Sequence, residues 1–170
     1  LEKVPGICFR DKEKMRVQPP VWIKDLNQLP LPALARVNQS YYQRNIRSAI
    51  TMVSSRGCPM PCSYCSVSAS ASHARFRQRE VTDVLREIKE QASRLDIGFI
   101  DFEDENLALE KKWILTLLSG LDHIFKTNPN FKGTIPELRA MNGLYPPSLD
   151  REIMRAMQES GFRTINLSLG

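Results

Sequence analysis

From residue 46 onward the chain alternates short β-prone runs with amphipathic helical stretches, and this alternation limits the possible folds most. "SAITMVSS" (48–55) is β-prone and runs toward Gly57. "REVTDVLREIKEQASRL" (79–95) places Val81, Leu85, Ile88, Ala92 and Leu95 on one helical face. "IGFIDFEDEN" (97–106) reads as a buried strand that breaks into acids. "LALEKKWILTLLSGLDHIF" (107–125) is a second helix with Trp113, Leu117, Leu121 and Ile124 on its apolar stripe. "FKGTIPELRAM" (131–141) is a weaker strand, which Pro136 either starts or confines to the residues beyond it. "SLDREIMRAMQESGF" (148–162) predicts a third helix, capped by Ser148 and stopped by Gly161. "RTINLSLG" (163–170) predicts a fourth strand. An order of strand, helix, strand, helix, strand, helix, strand builds a parallel sheet. The pattern does not separate a barrel from an open sheet. In both, ligands gather at the C-terminal ends of the strands.

Residues 1–45 break with this pattern. Prolines punctuate "VQPPVWIKDLNQLPLPALARV" (17–37), and a proline-rich stretch cannot sustain a long helix or strand. The segment reads as an extended connector, which divides the chain into 1–45 and an α/β unit over 46–170. The chain opens on Leu1 and stops at Gly170 straight after an apolar run, so a fragment cut at both ends is expected. A last strand without its neighbour would leave Ile165, Leu167 and Leu169 near an open edge.

Chemistry concentrates in "RGCPMPCSYCSV" (56–67), which holds Cys58, Cys62 and Cys65, three of the four cysteines. This loop follows the first strand, and the acidic "EDEN" follows the second, so both fall on one rim. Clustered thiols in a chain without a disulfide framework point to a metal centre. A structural zinc site would want a fourth ligand, here Cys8 or His73. A four-iron cluster held by three cysteines would keep one iron open to an outside ligand. Cys8, flanked by Ile7 and Phe9, reads as a buried inert thiol. Tyr64, taken alone, reads as a packing residue. Asp104 and Glu105 read either as acids at a helix start or as ligand-binding carboxylates. "HARFRQRE" (73–80), with Arg75, Arg77 and Arg79, reads as a solvated helix start, with anion binding as the alternative.

Composition removes other classes. No apolar run is long enough to span a bilayer, and no secretory leader opens the chain. A cytoplasmic protein is expected. The net charge of +5 permits anionic partners, but basic and acidic residues are interspersed and no nucleic-acid recognition signature is present.

"CPMPCSYC" (58–65) resembles the C-x-x-x-C-x-aromatic-C signature of the radical S-adenosylmethionine enzymes. The likeness extends to "FEDEN" (102–106), similar to the family's second-strand motif, and to "NGLYPPSLDREIMRAMQESGFRTINLSLG" (142–170). "GICFRDKEKMRVQPPVWIKDLNQLPLPA" (6–33) resembles the segment that follows a cobalamin-binding domain in the cobalamin-associated subgroup. The resemblance implies a parallel (β/α) partial TIM-like barrel, with about four of the family's six strands. It implies a [4Fe–4S] cluster on Cys58, Cys62 and Cys65, and S-adenosyl-L-methionine held by Tyr64 at the adenine, Asp104 and Glu105 at the amino group, and Ser168. It also implies a reductant such as flavodoxin or ferredoxin, a small-molecule or peptide substrate, and cobalamin in a longer parent. The implied reaction is reductive cleavage of S-adenosylmethionine to a radical that abstracts hydrogen, in the service of methyl transfer, cyclisation or another rearrangement. The competing reading is a zinc-stabilised binding module built on the same cysteines.

Overall fold

A computed structural model describes residues 1–69 and 76–168. The N-terminal segment is not featureless. Strands β1 (Cys8–Asp11) and β2 (Lys14–Val17) form an antiparallel hairpin, and short 3-10 turns follow at Leu26–Gln28, Leu34–Arg36 and Gln39–Tyr42. Cys8 is exposed on this hairpin, not buried. Ile7 and Phe9 alternate with it along the strand, and a two-stranded ribbon has no layer beneath it to cover both faces.

β3 (Gln43–Arg44) pairs antiparallel with β4 (Arg47–Met52) through a two-residue turn in which Asn45 and Ile46 both have positive φ. Such turns match the twist of the strands they join. Next come β5 (Ser55–Arg56), α1 (Ser66–Ala69), β6 (Arg77–Gln78), α2 (Val81–Ala92), β7 (Ile97–Phe102), α3 (Lys111–Thr127), β8 (Glu137–Arg139) and α4 (Arg151–Ser160). The main sheet has the order β3-β4-β7-β8, and its last three strands are parallel. Ile50, Ile100 and Leu138 align across them and belong to one buried core, with Val84 and Ile88 of α2, Leu117 and Leu121 of α3, and Ile153 and Met157 of α4. The period-2 and period-3.6 patterns thus meet in one layer of helices on one face of a sheet. The fold is α/β, an open part of a (β/α) barrel. Among the described residues no helix is long and apolar enough to cross a membrane.

Two expectations change. The helix over 148–162 is capped by Asp150, whose carboxylate accepts from the Ile153 N–H at 2.9 Å; Ser148 lies in a preceding 3-10 turn. Pro146 and Pro147 drive that turn and delay the helix. The fourth strand is not continuous over its described residues. Two isolated parallel bridges mark its path: Phe162, just before it, to Leu138 of β8, and Leu167 to Leu144 beyond the end of β8. Its partner β8 is only three residues long, so there is little ladder for it to extend. Ile165 is half-buried and Leu167 exposed, and Leu169 lies outside the described residues.

Candidate functional site

The cysteine loop is anchored before its first cysteine. Asp104, just past the end of β7, is 1% exposed. Its carboxylate accepts from the Ser54 N–H at 3.2 Å, the Ser54 hydroxyl at 2.7 Å and the Ser55 hydroxyl at 2.5 Å. Burial raises its pKa, and the serine donors only partly offset that. Asp104→Ala would strand these buried donors. At about 1–3 kcal/mol for an unsatisfied group, a loss of at least 2 kcal/mol is expected in a urea melt, and an unchanged midpoint would refute the anchoring role.

The loop is also closed at its base. β5 and β6 pair across it, Ser55 with Gln78 and Arg56 with Arg77. Gly57 then turns at φ 85°, and its N–H donates to Glu105 Oε2 at 3.2 Å. The Cys65 N–H closes a turn onto the Cys62 carbonyl at 3.1 Å, directly before α1.

The loop opens onto a cavity of about 370 Å3, a volume typical of small-molecule sites. Cys58, Cys62, Tyr64 and Cys65 line it from the loop, with Met60 and Val67 as apolar neighbours. Glu105 and Asn106 line it from the end of β7, and Asn142, Tyr145 and Ser168 from beyond β8. Tyr64 is 72% exposed, so it is not a packing residue. Asn106 is 3% exposed, yet its Oδ1 has no hydrogen-bond partner among the described residues. Burial pushes the Cys58 thiol pKa up, and Cys62, Cys65 and Glu105 push the same way against a backbone bond at Met60. The thiols are therefore near enough to feel one another. Ser168 reaches the cavity because Gly143, at φ 94°, has no β-carbon where the serine hydroxyl sits. The Ser168 N–H is held by the Leu144 carbonyl at 3.0 Å.

Six residues singled out from the sequence thus share one cavity: Cys58, Cys62, Cys65, Tyr64, Glu105 and Ser168. Asp104 does not; its carboxylate is spent on Ser54 and Ser55. Cys8 is not among the lining residues, and His73 and Arg75 lie outside the described ones. Arg77 and Arg79 are not a solvated face. Arg77 stacks over Trp22 at 5.7 Å and donates to the Ile23 carbonyl, and Arg79 is 12% exposed beside Glu87. Sequence reasoning passed over Asn106, Asn142 and Tyr145. Asn106 stood in the "EDEN" run, hidden by the charge of its neighbours.

Whether the cavity suits a cluster turns on its donors. Three soft thiols on one loop are the ligand type that iron–sulfur clusters take. Among the described residues no three His, Cys, Asp or Glu side chains gather into a single-ion site. The cysteines instead border a space that also carries a buried acceptor without a donor among the described residues.

Comparisons with known proteins bear on the family and the fold. The model of the Radical SAM superfamily matches residues 52–169. A curated relative, an uncharacterized methyltransferase of Pyrococcus horikoshii, is 27% identical over 113 residues, covering 66% of this chain and 24% of its own length. The structure of the radical S-adenosylmethionine methyltransferase TsrM from Kitasatospora setae, with tryptophan substrate and the analogue aza-SAM bound, superposes with a TM-score of 0.69. That match has 21% identity and covers 97% of this chain and 32% of TsrM, and it speaks to the fold. The chain spans a quarter to a third of the length of these proteins.

Proposed function

This chain belongs to the Radical SAM superfamily, and on that premise we propose that Cys58, Cys62 and Cys65 hold a [4Fe–4S] cluster with S-adenosylmethionine in the cavity beside it. The observation that carries the reading is the convergence of the three thiols with Tyr64, Glu105, Asn106 and Ser168 on one cavity. When bound and reduced, this cofactor pair supplies one-electron cleavage of a carbon–sulfur bond, and with it a radical that takes hydrogen from substrate. The chain's own residues bind, orient and enclose. Asn106 Oδ1 and the Glu105 carboxylate accept from the ligand's ammonium group. Glu105 is doubly placed, since it also takes the Gly57 N–H and so ties the ammonium site to the ligand loop. The exposed Tyr64 ring offers a face for the adenine, and Ser168 offers a hydroxyl on the opposite wall. Met60 and Val67 keep water from the thiols.

Both relatives carry methyltransferase in their names, which favours methyl transfer among radical outcomes. In a longer parent this reaction would draw on cobalamin, with a small-molecule or peptide substrate and a flavodoxin or ferredoxin as electron donor, in the cytoplasm. The test is a titration of anaerobically reconstituted protein with S-adenosylmethionine, followed by the cluster's electron paramagnetic resonance signal. Asn106→Ala and Glu105→Gln should each weaken the response roughly ten- to a hundredfold, the worth of a charge-assisted hydrogen bond. A response equal to wild type in the double variant would overturn the placement of the ammonium group.

A further inference from the structure

The sheet has a second face, turned away from the helices. Ile100 and Phe102 of β7 point into the helix-covered core, so alternation turns Phe99 and Asp101 to the other side. Two guanidiniums reach this face. Arg44 and Arg139 lie 4.7 and 5.1 Å from the centre of the Phe99 ring, and Arg139 also pairs with Glu137 at 2.8 Å. Asp101 is the register partner of Arg139, yet its Oδ1 is buried and has no hydrogen-bond partner among the described residues. Burial and the neighbouring Glu103 raise the Asp101 pKa, against weaker opposing pulls from Arg139, a Met141 backbone bond and Arg44. The cations at hand are thus turned to the aromatic ring and to Glu137, and a buried carboxylate oxygen on the face away from the helices is left without a donor among the described residues. Buried acceptors in folded proteins nearly always have a donor. Glu105 of the cofactor cavity lies four residues along the same chain, at most ~13 Å away at strand rise.

We propose that Asp101 fixes the substrate of this site by accepting a hydrogen bond from an ammonium group on it. The proposal rests on the cofactor placement above, which makes this face the substrate side. Glu103 stands beside Asp101, and the guanidiniums of Arg44 and Arg139 are engaged with Phe99 and Glu137, so the oxygen left over suits a cationic nitrogen. Asp101 acts by positioning, and no bond to it forms or breaks.

The test uses n-butylammonium and n-butyrate as probes of reconstituted protein, read by saturation-transfer NMR. Wild type should bind the ammonium and prefer it to butyrate. Asp101→Asn should lower ammonium binding about tenfold or more, as loss of a charge-assisted bond does, while keeping its paramagnetic response to S-adenosylmethionine. Glu105→Gln should show the reverse pattern, which separates failure of this proposal from failure of the cofactor placement. Equal ammonium binding in wild type and Asp101→Asn, or a preference for butyrate, overturns the proposal. If Asp101→Asn does not fold, Overhauser contacts from the probe in wild type decide: contacts to Thr51, the register partner of Asp101 on β4, support the assignment, and contacts confined to other residues overturn it.

Discussion

Replacing Cys62 with alanine is expected to remove most of the iron that anaerobic reconstitution loads, and with it the brown colour. Cys58→Ala and Cys65→Ala should do the same, while Cys8→Ala should leave iron content unchanged. The asymmetry follows from position. Cys58, Cys62 and Cys65 border one cavity on a loop whose two ends are pinned by the β5–β6 ribbon, whereas Cys8 is exposed on the N-terminal hairpin. In the proposed cluster, with one iron left for an outside ligand, the three thiolates would be the whole protein contribution, and loss of one would leave two corners unheld. Iron and sulfide assays with the visible spectrum measure this. Full iron retention in Cys62→Ala would sink the assignment. A colourless product holding one zinc per chain would favour the structural zinc reading instead.

The parallel sheet and its helices were legible because their hydrophobic periods are strong. Ile50, Ile100 and Leu138 mark three strands, and the stripe from Trp113 to Ile124 marks α3. The cysteine cavity was legible for a different reason, since three cysteines in eight positions can hardly avoid one another. The placement of Asp104 is instructive. Residues 100, 102 and 104 fall on one parity, and the first two are core, so alternation carries Asp104 inward and Glu105 outward. That parity is present in the sequence, whereas charge alone makes the two acids look equivalent. Asn106, Asn142 and Tyr145 carry no charge pattern and come together only through the tertiary fold. The β3 strand was missed because its signal is a two-residue turn, Asn45–Ile46, in which a β-branched residue holds a positive φ. The broken fourth strand failed for want of a partner: β-propensity describes a residue, but a ladder needs two chains of matching length.

Arg79→Ala is expected to cost about 3–5 kcal/mol, the penalty for leaving one partner of a buried ion pair charged and alone. Arg79 Nη1 lies 2.7 Å from Glu87 Oε2, with the side chains 12% and 1% exposed, although that oxygen lacks the alignment of a hydrogen bond. The same guanidinium donates to the Val53 carbonyl at 3.1 Å. The backbone of residue 79 is equally engaged: its N–H donates to the Ser54 carbonyl at 2.8 Å, and its carbonyl accepts from the Trp113 indole at 2.8 Å. Arg79 therefore clamps α2 and α3 to the segment from which the cysteine loop departs. A domain with only 5–15 kcal/mol of stability would lose much of it, and the melting temperature should fall by roughly 6–20 °C. Removing both charges is the informative control. Arg79→Met with Glu87→Leu keeps the volume and abandons no charge, so it should recover much of the loss. If the double variant melts as low as Arg79→Ala, the stranded carboxylate is not the cause, and the lost bond to Val53 carries the effect. An Arg79→Ala melt within a degree or two of wild type would instead show that the clamp lies in the backbone bonds alone.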